Sequence, residues 1–112
     1  MAVAIRGVAY MGRRDPVEAI QALVVEAVHP EAIILFGSRA RGDAGERSDI
    51  DLAVKAPGVS DAEWLKLLGR VEEQPWTLLH VDLVRWEESS PELRQAIARE
   101  GIVLYESRKA TQ

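Results

Sequence analysis

A chain of 112 residues, 47% hydrophobic and 29% charged, has the size and composition of one small globular domain and is not disordered or collagen-like throughout. Its 14 basic and 18 acidic residues give a formal charge of −4, so it lacks the positive field that attracts nucleic acid, and we expect no direct nucleic-acid binding. No apolar run exceeds five residues and no cysteine is present, which excludes a membrane-spanning helix, a disulfide framework and a thiol nucleophile.

Residues 1–14 form an N-terminal extension for which the pattern predicts no element. The apolar start of this extension is interrupted by Arg6, and it ends in Arg13 and Arg14 without a small-residue cleavage site. A secretory signal needs both an uninterrupted apolar stretch and such a cleavage site. We therefore expect a cytoplasmic protein that has no contact with the membrane.

The first predicted helix begins after Asp15, which suits an N-cap because Pro16 follows at the first helical position and Glu18 at the third. Apolar residues recur at helical spacing along one face of this helix: Val17, Ile20, Leu23, Val24, Ala27 and Val28. His29 and Pro30 end it, because the residue before a proline is driven out of the helical region.

Short strands alternate with helices in the rest of the chain. The apolar run from Ala32 to Phe36, ended by Gly37, predicts a buried strand, and Ser38 to Arg41 can form one helical turn. The later elements are a strand over 50–54, a helix opened by the capping box at 60–63, a strand over 78–84, a helix from Ser90 to a C-cap at Gly101, and a strand over 102–105.

This order of elements, α-β-β-α-β-α-β, predicts an α/β (α+β) fold in a single small domain. We expect a mixed sheet of about four strands packed with helices. The domain should span residues 15–107, with the extension at 1–14 before it and a short tail at 108–112 after it.

The turn after the first strand carries the first candidate site. Gly37 and Ser38 follow a buried strand directly, and a backbone that starts a helical turn there offers free N–H groups to phosphate oxygens. Gly37 would let a phosphate approach the backbone, and the Ser38 hydroxyl adds a donor. Because a glycine that ends a strand is a plain loop in most proteins, the pair alone does not decide between the two interpretations.

Asp49 and Asp51 are the second candidate. Side chains two residues apart on a strand point to the same face, so these carboxylates would lie a few ångströms apart and repel each other by about 4 kcal/mol at an effective dielectric constant of 20. Holding them together requires a raised pKa or a cation, and hard oxygen ligands of this kind suit Mg²⁺. The alternative is a solvated Asp-x-Asp at the start of a strand.

Asp82 is a third candidate carboxylate, since apart from His80 its neighbours in the predicted strand are apolar. Aspartate is rarely buried without a partner. Asp82 could join the metal site, or it could form an ion pair with Arg85 or with an arginine of the 39–47 loop. His80 should share a face with Asp82, although a lone histidine in a strand is more often structural.

The stretch from Gly37 to Leu52 resembles a known signature. It reads Gly-Ser-x-Ala-Arg-Gly-x-Ala-x-x-x-Ser-Asp-x-Asp-Leu without a gap, which is similar to the minimal nucleotidyltransferases (MNT) of the DNA polymerase beta-type superfamily. The order of elements over roughly residues 16–106 also matches that small fold. The resemblance implies Mg²⁺-dependent transfer of a nucleoside monophosphate from a nucleoside triphosphate to an acceptor hydroxyl, with release of pyrophosphate.

The same resemblance implies the roles of the candidate residues. Asp49 and Asp51 would be catalytic metal ligands, and Asp82 would be the third carboxylate, which supports the metal on the acceptor side and helps to deprotonate the acceptor. Together they could hold a pair of Mg²⁺ ions.

The nucleotide-binding residues would be Gly37, Ser38 and Arg41, which lies within the motif. In this interpretation the Arg41 guanidinium neutralises the triphosphate; the alternative is a structural ion pair.

Members of this size resemble the antitoxin half of toxin–antitoxin modules whose toxin is a helical HEPN-type ribonuclease. The implied donor is ATP and the implied acceptor is a tyrosine hydroxyl of that toxin. A chain of 112 residues leaves little material for a second substrate-binding domain, so we expect the acceptor surface to come largely from the partner. The alternative from a different functional class is a non-catalytic antitoxin, or another protein-binding module, that neutralises its partner by complex formation alone.

Overall fold

The fold is known from a computed structural model that describes residues 15–43, 45, 49–74 and 80–107. Its elements, in chain order, are α1 (Pro16–Val28), β1 (Ala32–Phe36), α2 (Ser38–Arg41), β2 (Ile50–Lys55), α3 (Asp61–Glu73), β3 (Val81–Arg85), a short 3-10 turn (Trp86–Glu88), α4 (Pro91–Glu100) and β4 (Ile102–Glu106). The predicted α/β class, the single small domain and the order of elements are confirmed.

The helix starts are those that the sequence predicts. The Asp15 carboxylate accepts a hydrogen bond from the Val17 N–H at 3.0 Å and caps α1. At α3 the Ser60 hydroxyl accepts from the Glu63 N–H at 3.1 Å, while the Ser60 N–H donates to the Glu63 carboxylate at 2.9 Å. This reciprocal capping box satisfies two N–H groups that a helix start leaves without partners, and the bond from the Ser60 backbone lowers the pKa of Glu63.

The four strands form one mixed sheet in the order β3-β2-β1-β4. β1 pairs antiparallel with β2 and with β4, and β2 pairs parallel with β3. Because side chains alternate along a strand, Ile33 and Leu35 pack in the larger cluster with α1 and α3, while Ile34 and Phe36 pack in the smaller one with α4. Helices thus cover both faces of the sheet, and the apolar sequence of β1 follows from its burial between them.

The third strand begins later than predicted. It runs from Val81 to Arg85, whereas the pattern predicted a strand over 78–84. His80 precedes the strand, and residues 75–79 lie outside the described part of the chain. The parallel partner fixes this start, since Ile50 is the first residue of β2, lies opposite Val81 and donates its N–H to the His80 carbonyl. An apolar run shows where a strand is possible, whereas pairing decides where the strand begins.

Gly101 ends α4 as predicted, but for another reason than the left-handed conformation common at helix ends. Its φ of −72° and ψ of 149° are extended. A Cβ at this position would collide with the Ile97 carbonyl oxygen and lie 2.6 Å from the Ile34 side chain. The glycine is therefore required by close packing between α4 and β1.

No helix within the described residues is long and apolar enough to cross a membrane. The predicted flanks at 1–14 and 108–112 lie outside the described residues, so the domain limits stay a prediction.

Candidate active site

Sheet register brings the second and third predicted carboxylates side by side. Asp51 on β2 lies opposite Asp82 on the parallel strand β3, and on its other side it lies opposite Phe36 at the end of β1. Paired residues of a sheet present their side chains to the same face. Asp51 and Asp82 therefore share the face that α4 covers, at the end of the sheet where β1 stops and β2 begins. Asp49 and Asp82 are exposed, whereas Asp51 is half-buried.

The electrostatics of Asp51 reflect this crowding. Partial burial raises the pKa of the Asp51 carboxyl, and the negative charges of Asp82 and Asp49 raise it further, while His80 and Arg41 act in the opposite direction. The expected repulsion between closely placed carboxylates is thus present in the fold. His80 is also close enough to act on the charge of Asp51, so it belongs to the surroundings of the predicted catalytic carboxylates.

Gly37 approaches Asp51 so closely that only a glycine fits. Its φ of +78° lies in the region that side chains rarely adopt. A Cβ on Gly37 would also collide with the Asp51 carboxylate oxygen and would lie 3.2 Å from the carboxylate carbon. The turn predicted to bind phosphate and the carboxylate predicted to bind metal are therefore in direct contact.

The predicted helical turn after Gly37 is present as α2, which ends at Gly42. From its last residue the Arg41 guanidinium reaches the Asp43 carboxylate at 3.3 Å and the Glu100 carboxylate at 3.4 Å. Glu100 also accepts a hydrogen bond from the Gly37 N–H at 2.9 Å. Sequence analysis missed Glu100, because nothing in its local pattern connects the end of α4 with a turn 63 residues earlier.

Arg85 has partners other than Asp82. It lies 2.8 Å from the Asp61 carboxylate and 3.1 Å from that of Glu88, and it donates to the Val59 carbonyl at 2.8 Å. These contacts fasten the start of α3 to the end of β3. An ion pair between Arg85 and Asp82 is therefore not formed, although the sequence left that possibility open.

The carboxylates offer the hard oxygen atoms that Mg²⁺ prefers, and the raised pKa of Asp51 shows a charge that a cation would stabilise. Across the described residues, however, no group of three or more His, Asp or Glu side chains could hold a metal ion by itself. Mg²⁺ commonly takes one or two protein carboxylates together with substrate phosphates, so the donor set fits an ion that arrives with a nucleotide. Residues 44 and 46–48 of the motif lie outside the described part.

A mixed four-stranded sheet whose Gly-Ser turn contacts an Asp-x-Asp carboxylate on the next strand is the arrangement of a nucleotidyltransferase domain. Residues 18–110 match the family described as polymerase beta nucleotidyltransferase, and the chain belongs to this family. The resemblance inferred from Gly37 to Leu52 is confirmed, and so is the assignment of the chain to the nucleotidyltransferases.

Known proteins and structures are similar to this chain over most of its length. The Haemophilus influenzae protein named "Probable protein adenylyltransferase MntA" is 26% identical over 103 residues, which cover 89% of this chain and 88% of that protein. A chain from the crystal structure of a toxin–antitoxin with AMP-PNP is 26% identical, with a TM-score of 0.66 and coverage of 86% of this chain and 77% of that one. A structure described as a minimal nucleotidyltransferase is 30% identical, with a TM-score of 0.56 and coverage of 80% and 96%.

Proposed function

We propose that this protein is a Mg²⁺-dependent adenylyltransferase that moves AMP from ATP to a tyrosine hydroxyl of a HEPN-type toxin, and that it acts as the antitoxin of that toxin. The observation that carries the proposal is the contact of Gly37 with Asp51, which stands beside Asp82 on the neighbouring strand. The name of the Haemophilus relative supports the adenylyl group, and the related toxin–antitoxin structure with AMP-PNP supports both the nucleotide and the toxin partner.

In this proposal Gly37, Ser38 and Arg41 bind the triphosphate. Because a Cβ on Gly37 would meet the Asp51 carboxylate, this turn lies against the carboxylates that the proposal assigns to the metal. The Arg41 guanidinium lies at the end of α2, where it contacts the Asp43 carboxylate at 3.3 Å and the Glu100 carboxylate at 3.4 Å. A guanidinium in that place balances the negative charge of the phosphates.

Asp49, Asp51 and Asp82 would hold Mg²⁺ together with the phosphates of the nucleotide, since the described residues form no metal site of three side chains by themselves. The bound ion would neutralise the triphosphate and stabilise the charge that develops on the leaving pyrophosphate. The acceptor oxygen attacks the α-phosphorus, a P–O bond to it forms, and the bond between the α-phosphorus and the bridging oxygen breaks. Pyrophosphate leaves with the electron pair, and the proton of the acceptor hydroxyl passes to the Asp82 carboxylate. Asp82 suits this role because it is exposed at the edge strand β3, where an acceptor from another protein can reach it.

A cytoplasmic location belongs to the same proposal, because both ATP and an intracellular toxin would be met there; a chain without cysteine is consistent with it.

The test is the intact mass of the adjacent gene's HEPN-type product after incubation with this protein, ATP and Mg²⁺. We expect the mass to rise by one AMP unit or more, on tyrosine, with the unaltered protein and not with Asp51→Asn. Asp61→Asn is the matched control, since it makes the same chemical change at α3 and should leave transfer intact. A toxin that is neutralised without any change in mass would contradict the proposal and favour neutralisation by complex formation alone.

A further inference from the structure

One carboxylate joins the two ends of the α2 turn. Glu100 is the last residue of α4, and its side chain is 21% exposed. It accepts the Gly37 N–H at 2.9 Å, just before α2 begins, and lies 3.4 Å from the Arg41 guanidinium where α2 ends. The segment proposed to bind the triphosphate is thus fastened at both ends to a different helix.

The stability of α4 itself does not account for Glu100. The C-terminus of a helix carries partial negative charge, so an acidic side chain in the last turn is disfavoured. Basic residues suit that position, and Arg99 stands directly before Glu100. The favourable contacts of Glu100 are those with the α2 turn, so its consequences should appear there.

The other side of Gly37 faces the metal-site carboxylate. A Cβ on Gly37 would collide with Asp51, while the Gly37 N–H points to Glu100. Gly37 therefore lies between two carboxylates that belong to rigid elements, β2 and α4. The bond to Glu100 fixes the peptide plane before Gly37, and with it the separation between the α2 turn and Asp51.

We propose that Glu100 is a positioning residue, which holds the Gly37 backbone and the Arg41 guanidinium in place for the β- and γ-phosphates of the nucleotide. The inference rests on the proposed function, because it requires that the α2 turn bind a triphosphate. Glu100 acts on the phosphate end of the nucleotide and leaves the adenosine end unaffected. A role in folding alone would affect ATP and AMP equally.

The test is calorimetric titration of the full chain with ATP and, separately, with AMP, both with Mg²⁺. Glu100→Ala removes both contacts and should weaken ATP binding by about tenfold. Glu100→Gln keeps an oxygen acceptor for the Gly37 N–H but loses the charge opposite Arg41, so we expect a smaller loss of about threefold. AMP binding should change little in either variant.

Glu92→Gln is the matched control, because Glu92 is an exposed carboxylate in the first turn of the same helix and should leave ATP binding unchanged. Thermal melting of each variant shows whether it is folded, and the near-isosteric Glu100→Gln serves if Glu100→Ala does not fold.

Unchanged ATP affinity in a folded Glu100 variant would overturn the inference and leave the proposed function standing. Tighter ATP binding would also overturn it, because Glu100 would then compete with the phosphates. An equal loss of affinity for ATP and for AMP would also overturn the inference, because Glu100 would then act on folding alone. Absence of ATP binding by the unaltered protein would instead contradict the proposed function, and the inference with it.

Discussion

Asp51 carries its charge at a cost, because its carboxylate is half-buried and faces the charges of Asp82 and Asp49. Its pKa in the folded chain is raised above the value of about 3.9 expected in the unfolded chain. A carboxyl with a raised pKa stabilises the fold in its protonated form. This contribution is fully present below the pKa of the unfolded chain and is lost as the pH rises through the pKa of the folded chain. Ionised Asp51 therefore destabilises the metal-free protein at neutral pH.

The first prediction concerns Asp51→Asn, which removes this charge while keeping the shape of the side chain. With metal chelated, we expect the variant to melt at the same or a slightly higher temperature than the unaltered protein at neutral pH. The difference should shrink as the pH falls below about 3.9, where Asp51 becomes protonated in the unfolded chain as well as in the folded one. Thermal melts across this range provide the measurement. A clearly lower melting temperature for Asp51→Asn at neutral pH would contradict the assigned repulsion.

A second prediction separates Asp82 from Asp61, since Arg85 is paired with Asp61 and Glu88. Asp82→Asn should keep the melting temperature of the metal-free protein while AMP transfer falls by about 10²- to 10⁴-fold. Asp61→Asn should show the opposite pattern, with a loss of up to about 1 kcal/mol in the free energy of unfolding and normal transfer. Chemical denaturation beside single-turnover transfer rates measures both. Normal transfer by Asp82→Asn would remove Asp82 from the site.

Local sequence signals predicted those helix and strand boundaries that contacts between nearby residues determine. Ser60 and Glu63 bond to each other within four residues, so the start of α3 could be predicted from the sequence. The start of β3 depends on the register with β2, and the contacts of Glu100 join segments far apart in the chain. Those features could not be predicted, because no local pattern records a pairing between distant segments.

The third prediction tests the tight junction of α4, β1 and β4 at Gly101. Gly101→Ala should lower the free energy of unfolding by about 1–3 kcal/mol, because the added methyl group collides with the Ile97 carbonyl and the Ile34 side chain. Gly58→Ala is the control, since a Cβ there meets nothing within 4 Å and that glycine has no positive φ. Equal stability of the two variants in urea unfolding would show that the junction can relax.

The sheet and α4 together bring residues from four segments to one place: Gly37 after β1, Asp51 on β2, Asp82 on β3 and Glu100 at the end of α4. Gly37 and Asp51 lie in contact because β1 and β2 are neighbours in the sheet, while their roles in binding stay predictions. The position of Asp82 beside Asp51 depends on the parallel pairing of β2 with β3, which is a property of the complete sheet.

A fourth prediction follows because strand pairing, and not the charge of the carboxylates, forms the site. The double variant Asp49→Asn/Asp51→Asn should still form a complex with the HEPN-type partner, because the two substitutions preserve shape and relieve repulsion, but it should transfer no AMP. Size-exclusion chromatography of the mixture measures complex formation, and intact mass measures transfer. Loss of complex formation in a folded double variant would indicate that these carboxylates belong to the contact surface.

Parallel reactions with ATP labelled at the α-phosphate or at the γ-phosphate, each with Mg²⁺ and the HEPN-type partner, show whether an AMP unit moves from ATP to the toxin. The proposed attack at the α-phosphorus predicts that only α-label appears on the toxin, in a form stable to denaturation, and that Asp49→Asn/Asp51→Asn transfers none. Label from the γ-phosphate, or equal labelling by the double variant, would contradict the account.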